Sequence, residues 1–333
     1  MKYLRFIIVC FTLLAGCTAT QYTELASTSD PDDESGIGGT GIIGAITGFG
    51  SIFVNGVEVE TERGTQLMVD GQRVDSFDFA RGDVVEVLAV KQRGITRAER
   101  VQVRHEVIGK VDQVDKANNS FTVLGQTVIA DTQDVSLPQA GDVVQVSGFR
   151  DNTGRVHATH VAQGRGDNLL LSGTVRTIGK DSFYIGEQKV TVGDSASLQA
   201  GSRVRVRGQL RGNALDASSL TVLDAHPFGS RVQRLLVQGF ISKEAGQAYR
   251  IDGVSFTSPD TLQVRQPDPQ RVEIKRSASG EWTATRLIGE HGLPQGRPEP
   301  RSGAGKVKRA PTRLRRPSMP PRPGMGGAGR PMR

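Results

Sequence analysis

A single landmark, glycine followed two residues later by an aliphatic side chain, recurs four times along this chain. It stands at Gly44-Ala45-Ile46, Gly109-Lys110-Val111, Gly173-Thr174-Val175 and Gly239-Phe240-Ile241, at spacings of 65, 64 and 66 residues. Behind each landmark runs a short strand-like stretch that ends on glycine: Ser51 to Gly56, Ser120 to Gly125, Ser182 to Gly186 and Ala248 to Gly253. Next comes Gly82-Asp83-Val84-Val85-Glu86-Val87, matched by Gly141-Asp142-Val143-Val144-Gln145-Val146. The third version is Gly201-Ser202-Arg203-Val204-Arg205-Val206, and the fourth is Pro269-Gln270-Arg271-Val272-Glu273-Ile274. Each stretch closes on a glycine turn and a last strand marked by alanine: Gly94 with Ala98, Gly154 with Ala158, Gly212 with Ala217, and Gly280 with Ala284. Landmarks in constant order at near-constant spacing predict four copies of one structural unit.

Within each copy apolar and polar residues alternate, as at Val204 and Val206, a period of two that belongs to half-buried strands. Asn118-Asn119 and Asp151-Asn152-Thr153-Gly154 are tight-turn material, because Asn, Asp and Gly tolerate left-handed backbone. The chain carries 41 Gly in 333 residues and only 5% aromatics, as many short strands on tight turns require. About five strands in about 60 residues make a small closed or nearly closed barrel, of which the OB-fold is the best-known kind. The expectation is therefore an all-β chain of four tandem small five-stranded β-barrel (OB-like) repeats, with a disordered N-terminal tether and a disordered C-terminal tail. The boundaries are a leader over 1–16, a tether over 17–35, repeats over 36–104, 105–168, 169–229 and 230–290, and a tail over 291–333. Units of this size bury only about 60% of their unfolded surface, so neighbouring copies are expected to dock.

The lead-in Gly36 to Gly41, the segment Gly48-Phe49-Gly50-Ser51-Ile52-Phe53-Val54-Asn55-Gly56 and the Gly-Asp-x-Val-x-Val run resemble the bacterial domain of unknown function 5666 family. The resemblance spans about residues 36–290 and implies an exported, often lipidated protein built from tandem β modules, with no agreed activity. The fourth copy departs from the pattern, with Pro267 and Pro269 where Gly-Asp is expected, so a complete barrel is not implied there.

The ends of the chain address it to a membrane. Lys2 and Arg5 precede Phe6 to Leu14, an apolar stretch too short to cross a hydrocarbon core of about 30 Å. Leu14-Ala15-Gly16-Cys17 follows, and resembles the lipobox of bacterial lipoproteins. That resemblance implies a diacylglyceryl group on the Cys17 thiol, cleavage before Cys17 and acylation of its amine, a durable anchor at about 0.8 kcal/mol per buried CH₂. Thr18 stands where an inner-membrane retention Asp would, which favours an outer-membrane destination. Cys10 and Cys17 are the 2 cysteines, so the body holds neither a disulfide nor a thiolate metal site. Residues 18–35 read as a polar tether, and Asp30, Asp32, Asp33 and Glu34 beside Pro31 as a solvated linker more than a calcium patch.

The formal charge of +7 sits in the tail: residues 291–333 hold 11 Lys/Arg against Glu299, while residues 36–290 hold 29 of each sign. Nine Pro and eight Gly in that tail argue against a packed core. Its basic clusters, Lys306, Lys308 and Arg309 and then Arg313, Arg315 and Arg316, are candidate anion-binding residues on a chain with a reach of about 35 Å.

In the body, Arg203, Arg205 and Arg207 share one strand face, with Val204 and Val206 pointing inward. Parallel guanidinium groups grip carboxylates or phosphates, although an exposed face balanced by nearby acids is the plainer reading. Other signals lead away from catalysis. Gly39-Thr40-Gly41-Ile42-Ile43-Gly44 matches a dinucleotide fingerprint but lacks the strand before and helix after that such a site needs. His157 and His160, three apart on a strand, are expected on opposite faces and unable to share a metal. Glu58, Glu60 and Glu62 read as a solvated edge, and no serine has a base placed by a motif. A neutral body with few aromatics and one Trp lacks the stacking platforms of single-strand binders. These readings predict a non-enzymatic cell-envelope lipoprotein without cofactor or metal. It would be membrane-held by its lipid and would contact an anionic envelope polymer or lipid, with no nucleic acid expected. The alternative is a module for a small ligand or carbohydrate in the clefts between copies; nucleic-acid binding through OB-like repeats ranks below both.

Overall fold

The computed structural model describes residues 39–130, 134–165, 169–193, 198–259, 262, 268–288 and 305–306. Residues 39–104 form β1 (Gly39–Gly48), β2 (Ile52–Val54), β3 (Val57–Val59), β4 (Gln66–Val69), β5 (Gln72–Val74), β6 (Asp78–Phe79), β7 (Val84–Gln92) and β8 (Ile95–Arg104). Residues 107–163 form β9 (Val107–Asp115), β10 (Ser120–Val123), β11 (Gln126–Ile129), β12 (Val143–Arg150) and β13 (Val156–Gln163). Then come β14 (Leu169–Ile178), β15 (Ser182–Ile185), β16 (Gln188–Thr191), β17 (Arg203–Arg211) and β18 (Ala214–Val222). The last segment holds β19 (Val232–Gly239), β20 (Ile241–Lys243), β21 (Ala248–Ile251), β22 (Val254–Thr257), β23 (Gln270–Arg276) and β24 (Trp282–Leu287), with β25 (Gly305–Lys306) beyond it. A single 3₁₀ turn at Gly229–Arg231 is the only helical element among the described residues, and none there is long and apolar enough to cross a membrane.

The alternating pattern produces closed barrels. β9 pairs with β10, β10 with β11, β11 runs parallel to β13, β13 pairs with β12, and β12 returns to β9. β14, β15, β16, β18 and β17 close in the same order, with β16 parallel to β18. In residues 39–104 the ring β1-β2-β3-β8-β7 is joined between β3 and β8 by one parallel bridge, Glu60 with Arg97, and the β4–β5 hairpin adds beside β8. In residues 232–287, β20, β21, β22, β24, β23 and β19 are linked in that order. β23 begins at Gln270, directly after Pro269, and pairs on both sides; Pro267 lies outside the described residues.

The recurring landmarks have physical causes. Gly44, Gly109, Gly173 and Gly239 lie where the first strand of each segment curls over the hairpin that follows. A Cβ on Gly44 would stand 2.4 Å from Asn55 Oδ1, and one on Gly173 would stand 2.4 Å from Ile185 Cγ2. The aliphatic residue two positions on is clipped to the Gly-Asp turn. Gly82 N donates to Ile46 O at 2.8 Å, and Ile46 N donates to Asp83 O at 2.9 Å. Gly141 and Asp142 hold Val111 in the same way, and Gly201 and Ser202 hold Val175. The alanine marks a β-bulge: the register slips immediately beside Ala98, Ala158, Ala217 and Ala284 where each pairs across to Ala89, Gly148, Gly208 and Ile274. At two of these bulges the strands approach so closely that a Cβ on Gly148 would stand 2.2 Å from His157 O, and one on Gly208 would stand 2.1 Å from Asp216 O.

Consecutive segments were expected to dock. The second and third do, through β9 and β14, and one apolar core from Val107 to Leu215 fills both barrels. The first packs on the second through Gly82 and Asp83 against Thr159 and His160, and it is also joined to the last: β1 runs parallel to β19, with Ile43 opposite Val237, in a 13-stranded sheet. Parallel pairing needs a long crossover, and here the two middle barrels are that crossover. Within the tail, Gly305 and Lys306 add a two-residue strand to β6. Cys17 and the tail's Lys308, Arg309, Arg313, Arg315 and Arg316 lie outside the described residues.

Candidate functional site at the barrel junction

The chain passes from the first segment to the second through Arg104-His105-Glu106. All three are buried, at 2%, 4% and 2% exposure. Backbone groups at this crossing are satisfied from both sides. His105 N donates to Asp70 Oδ1 at 2.8 Å, Glu106 N donates to Val146 O at 2.8 Å, and Ser172 N donates to Glu106 O at 2.8 Å.

Side chains from all four segments converge here. Arg104 Nη1 and Nη2 donate to Asp252 at 2.7 and 3.2 Å, and the same guanidinium reaches Glu86 at 3.4 Å and Glu106 at 3.5 Å. Arg150, from β12, donates to Glu106 at 2.9 Å, to Gln126 Oε1 at 3.0 Å and to the Ser172 carbonyl. Arg203, from β17, donates to the Asp252 carbonyl at 2.6 Å, and Arg207 donates to the Asp70 carbonyl at 3.0 Å. Two tight turns deliver the acids: Asp70-Gly71 and Asp252-Gly253 take φ of 48° and 82°, and 46° and 88°. Such Asp-Gly turns tip a carboxylate out of the hairpin without bending its strands.

At Arg104, His105, Asp70 and Arg150 burial opposes the charge, and the partners decide the outcome. Burial alone would depress the Arg104 guanidinium, but the Asp252, Glu106 and Glu86 carboxylates outweigh it and hold it above the ordinary arginine value. Burial likewise disfavours charge on both members of the His105–Asp70 pair. Their 2.8 Å contact reverses this, raising His105 above and lowering Asp70 below its ordinary value. Arg150 is pushed down by burial, which its Glu106 partner only partly offsets.

The three arginines singled out in sequence lie on the outer face of β17, and Val204 and Val206 face the core as expected. The face is not solvated: Arg203 docks on the last segment and Arg207 on the first, and Arg205 is 6% exposed. Beside them lies a cavity of about 270 Å³ lined by Arg104, Arg203, Arg205, Glu86, Gln102 and Asp224, among others.

The histidine expectation is corrected by the bulge in β13. Val156 and Ala158 enter the core while Thr159 and His160 sit at the slip, so His157 and His160 both leave the barrel on its outer side. They still diverge: His160 Nδ1 meets Asp83 Oδ1 at 2.6 Å, whereas His157 meets Asp151 at 3.2 Å and stacks at 4.6 Å on Phe240. Among the described residues no group of three or more His, Cys, Asp or Glu is placed to hold a metal ion. The Gly39-to-Gly44 fingerprint lies inside strand β1, with no helix after it. Sequence reasoning missed Asp70, Glu86, Arg104, His105, Glu106 and Asp252. Their one visible signal is a three-residue charged crossing between strands with no Gly or Pro to loosen it.

With this geometry in hand, comparison with known proteins is informative on one point. The profile of the family described as "Domain of unknown function (DUF5666)" matches residues 40–102 and 108–162. Over those two stretches the chain is similar to the DUF5666 family. Both matched DUF5666 stretches contain the Gly-x-aliphatic landmark, the Gly-Asp clip and the alanine bulge, and they meet at Arg104-His105-Glu106. The match ends at residue 162, short of the 36–290 span over which the resemblance was drawn. No curated protein matches the chain. One solved structure, a multidomain protein with nucleic acid binding domains from Streptococcus pneumoniae TIGR4, is 14% identical over 56% of this chain and 73% of its own, with a TM-score of 0.14. A likeness at that level bears on neither fold nor function.

Proposed function

We propose that this protein is a non-enzymatic, lipid-anchored envelope protein whose body is a rigid binding scaffold of four OB-like repeats. The observation that carries this reading is the buried junction: Arg104 and Asp252 tie the first segment to the last while Arg203 and Arg207 tie in the third. Such interlocking suits a device that holds surfaces in fixed relation, not one whose modules move. The shared strand order, with a parallel pair closing each ring, supports the OB-like assignment. The reading places the acylated Cys17 in the outer membrane and gives the basic tail, Lys306 to Arg316, an anionic envelope polymer or lipid as partner.

Two measurements test it. Mass spectrometry of the mature N-terminus is expected to show an acylated Cys17, absent in Cys17→Ser. Removing residues 291–333 is expected to abolish binding to anionic vesicles at low salt. An unmodified N-terminus refutes the anchor, and unchanged vesicle binding refutes the tail's role. A second reading, small-ligand binding between modules, is favoured by the junction cavity.

A further inference from the structure

Of the guanidinium groups packed at the junction, Arg205 alone has no hydrogen-bond or ion-pair partner among the described residues. It is 6% exposed, and its Nε is enclosed without an acceptor. The carboxylate it feels electrostatically is Asp70, but both Asp70 oxygens are engaged by His105. The wider charge balance points the same way. Five arginines at the junction (Arg104, Arg150, Arg203, Arg205, Arg207) face four carboxylates (Asp70, Glu86, Glu106, Asp252), so one positive charge is left over even with His105 neutral. Asp224, exposed on the cavity rim, forms no ion pair with any of them. A largely buried permanent charge without a counter-charge is destabilising, and arginine cannot escape by losing its proton.

The cavity beside Arg205 has room for a counter-ion. Its volume of about 270 Å³ is that of roughly nine waters at about 30 Å³ each. Arg203 and Arg205, two apart on β17, present their side chains to the same face, and Arg104 also lines the cavity. A planar guanidinium offers two parallel N–H groups, the geometry that matches a carboxylate or phosphate. We propose that the junction cavity binds a small oxyanion, a carboxylate or phosphate group gripped by the Arg205 fork with Arg203 beside it. The site extends the small-ligand reading given above and is independent of the lipid anchor and the tail.

The test is a titration of the full chain, desalted into a chloride buffer, with inorganic phosphate in one arm and acetate in the other, against sodium chloride at equal ionic strength. The expected result is a saturable rise in Tm of several degrees at about 100 times the Kd, in at least one arm, and a matching calorimetric isotherm. Which arm responds separates phosphate from carboxylate as the source. Arg205→Met, which keeps the stem's packing but removes the charge, is expected to weaken that binding at least tenfold. It should also leave the anion-free Tm equal to or above that of the parent. Asp224→Asn, on the exposed rim, is expected to tighten binding a few-fold and keeps the proposal testable if Arg205→Met fails to fold. The proposal is overturned if neither anion shifts Tm beyond chloride, if Arg205→Met binds as tightly as the parent, or if Asp224→Asn leaves affinity unchanged. Because no arm involves vesicles or the N-terminus, its failure leaves the anchor and tail readings standing.

Discussion

At the residue scale, space decides more than propensity. Gly148 occupies a bulge where a Cβ would meet the His157 carbonyl at 2.2 Å, a backbone atom that can yield only by moving a strand. Gly193 has open space around it and an ordinary backbone. Gly148→Ala is therefore expected to cost about 1–3 kcal/mol, as overpacking does, and Gly193→Ala to change stability by less than about 0.5 kcal/mol, both read from urea midpoints. The His105–Asp70 pair makes a second residue-level prediction, in pH. His105 is raised in the folded state, so its contribution is full below the unfolded value of about 6.5 and is lost as pH rises through the folded value. Asp70 is lowered, so its contribution is present above the unfolded carboxylate value and is lost as pH falls through the folded one. Stability should thus be greatest between those two limits. The decline on the alkaline side should flatten in Asp70→Asn, measured by thermal melts from pH 5 to 9, and an unchanged slope would refute the pairing.

At the element scale, what was legible in the sequence was what local geometry repeats. The Gly-x-aliphatic and Gly-Asp landmarks are visible because they are two halves of one clip: Ile46 and Gly82, Val111 and Gly141, and Val175 and Gly201 each exchange backbone hydrogen bonds. The alanines are visible because each sits at a register slip, where a larger side chain would crowd the bulge. The junction was not legible, since alternation reports only which face of a strand is polar. It does not say whether that face meets water or, as with Arg203 and Arg207, another barrel's turn. The same limit misplaced His160, because strict alternation takes no account of a bulge that shifts parity by one residue. The two aspartates of the clip predict a measurable asymmetry. Asp142 Oδ2 accepts from Gln139 N at 2.8 Å in an exposed turn, so Asp142→Ala should cost about 1 kcal/mol. Asp83 accepts from Ala80 N at 2.8 Å, is 2% exposed and also holds His160, so Asp83→Ala should cost about 2–3 kcal/mol. Equal losses in chemical denaturation would show that the His160 contact contributes nothing.

At the scale of the whole molecule, the parallel β1–β19 pairing makes the two ends of the body depend on each other. Gly39 to Ile43 lie between β7 on one side and β19 on the other, so a chain ending at residue 229 would expose one edge of β1 along that stretch. The same cut removes Asp252, the bidentate partner of Arg104. Stripping one partner from a buried pair costs about 3–5 kcal/mol, because the remaining charge stays buried, and an unpaired strand edge is a template for association. A fragment of residues 105–225 leaves no such edge, because its two barrels close on their own strands and share one core. Although His105 and Arg203 lose Asp70 and Asp252, Glu106 keeps Arg150. The polar face of β17 would simply be returned to water. The chain ending at 229 is accordingly expected to melt lower and to self-associate in light scattering. The 105–225 fragment is expected to remain monomeric, with one cooperative transition. If the shorter chain stays monomeric at the parent's Tm, the end-to-end pairing does not hold the body together, and the modules behave as beads after all.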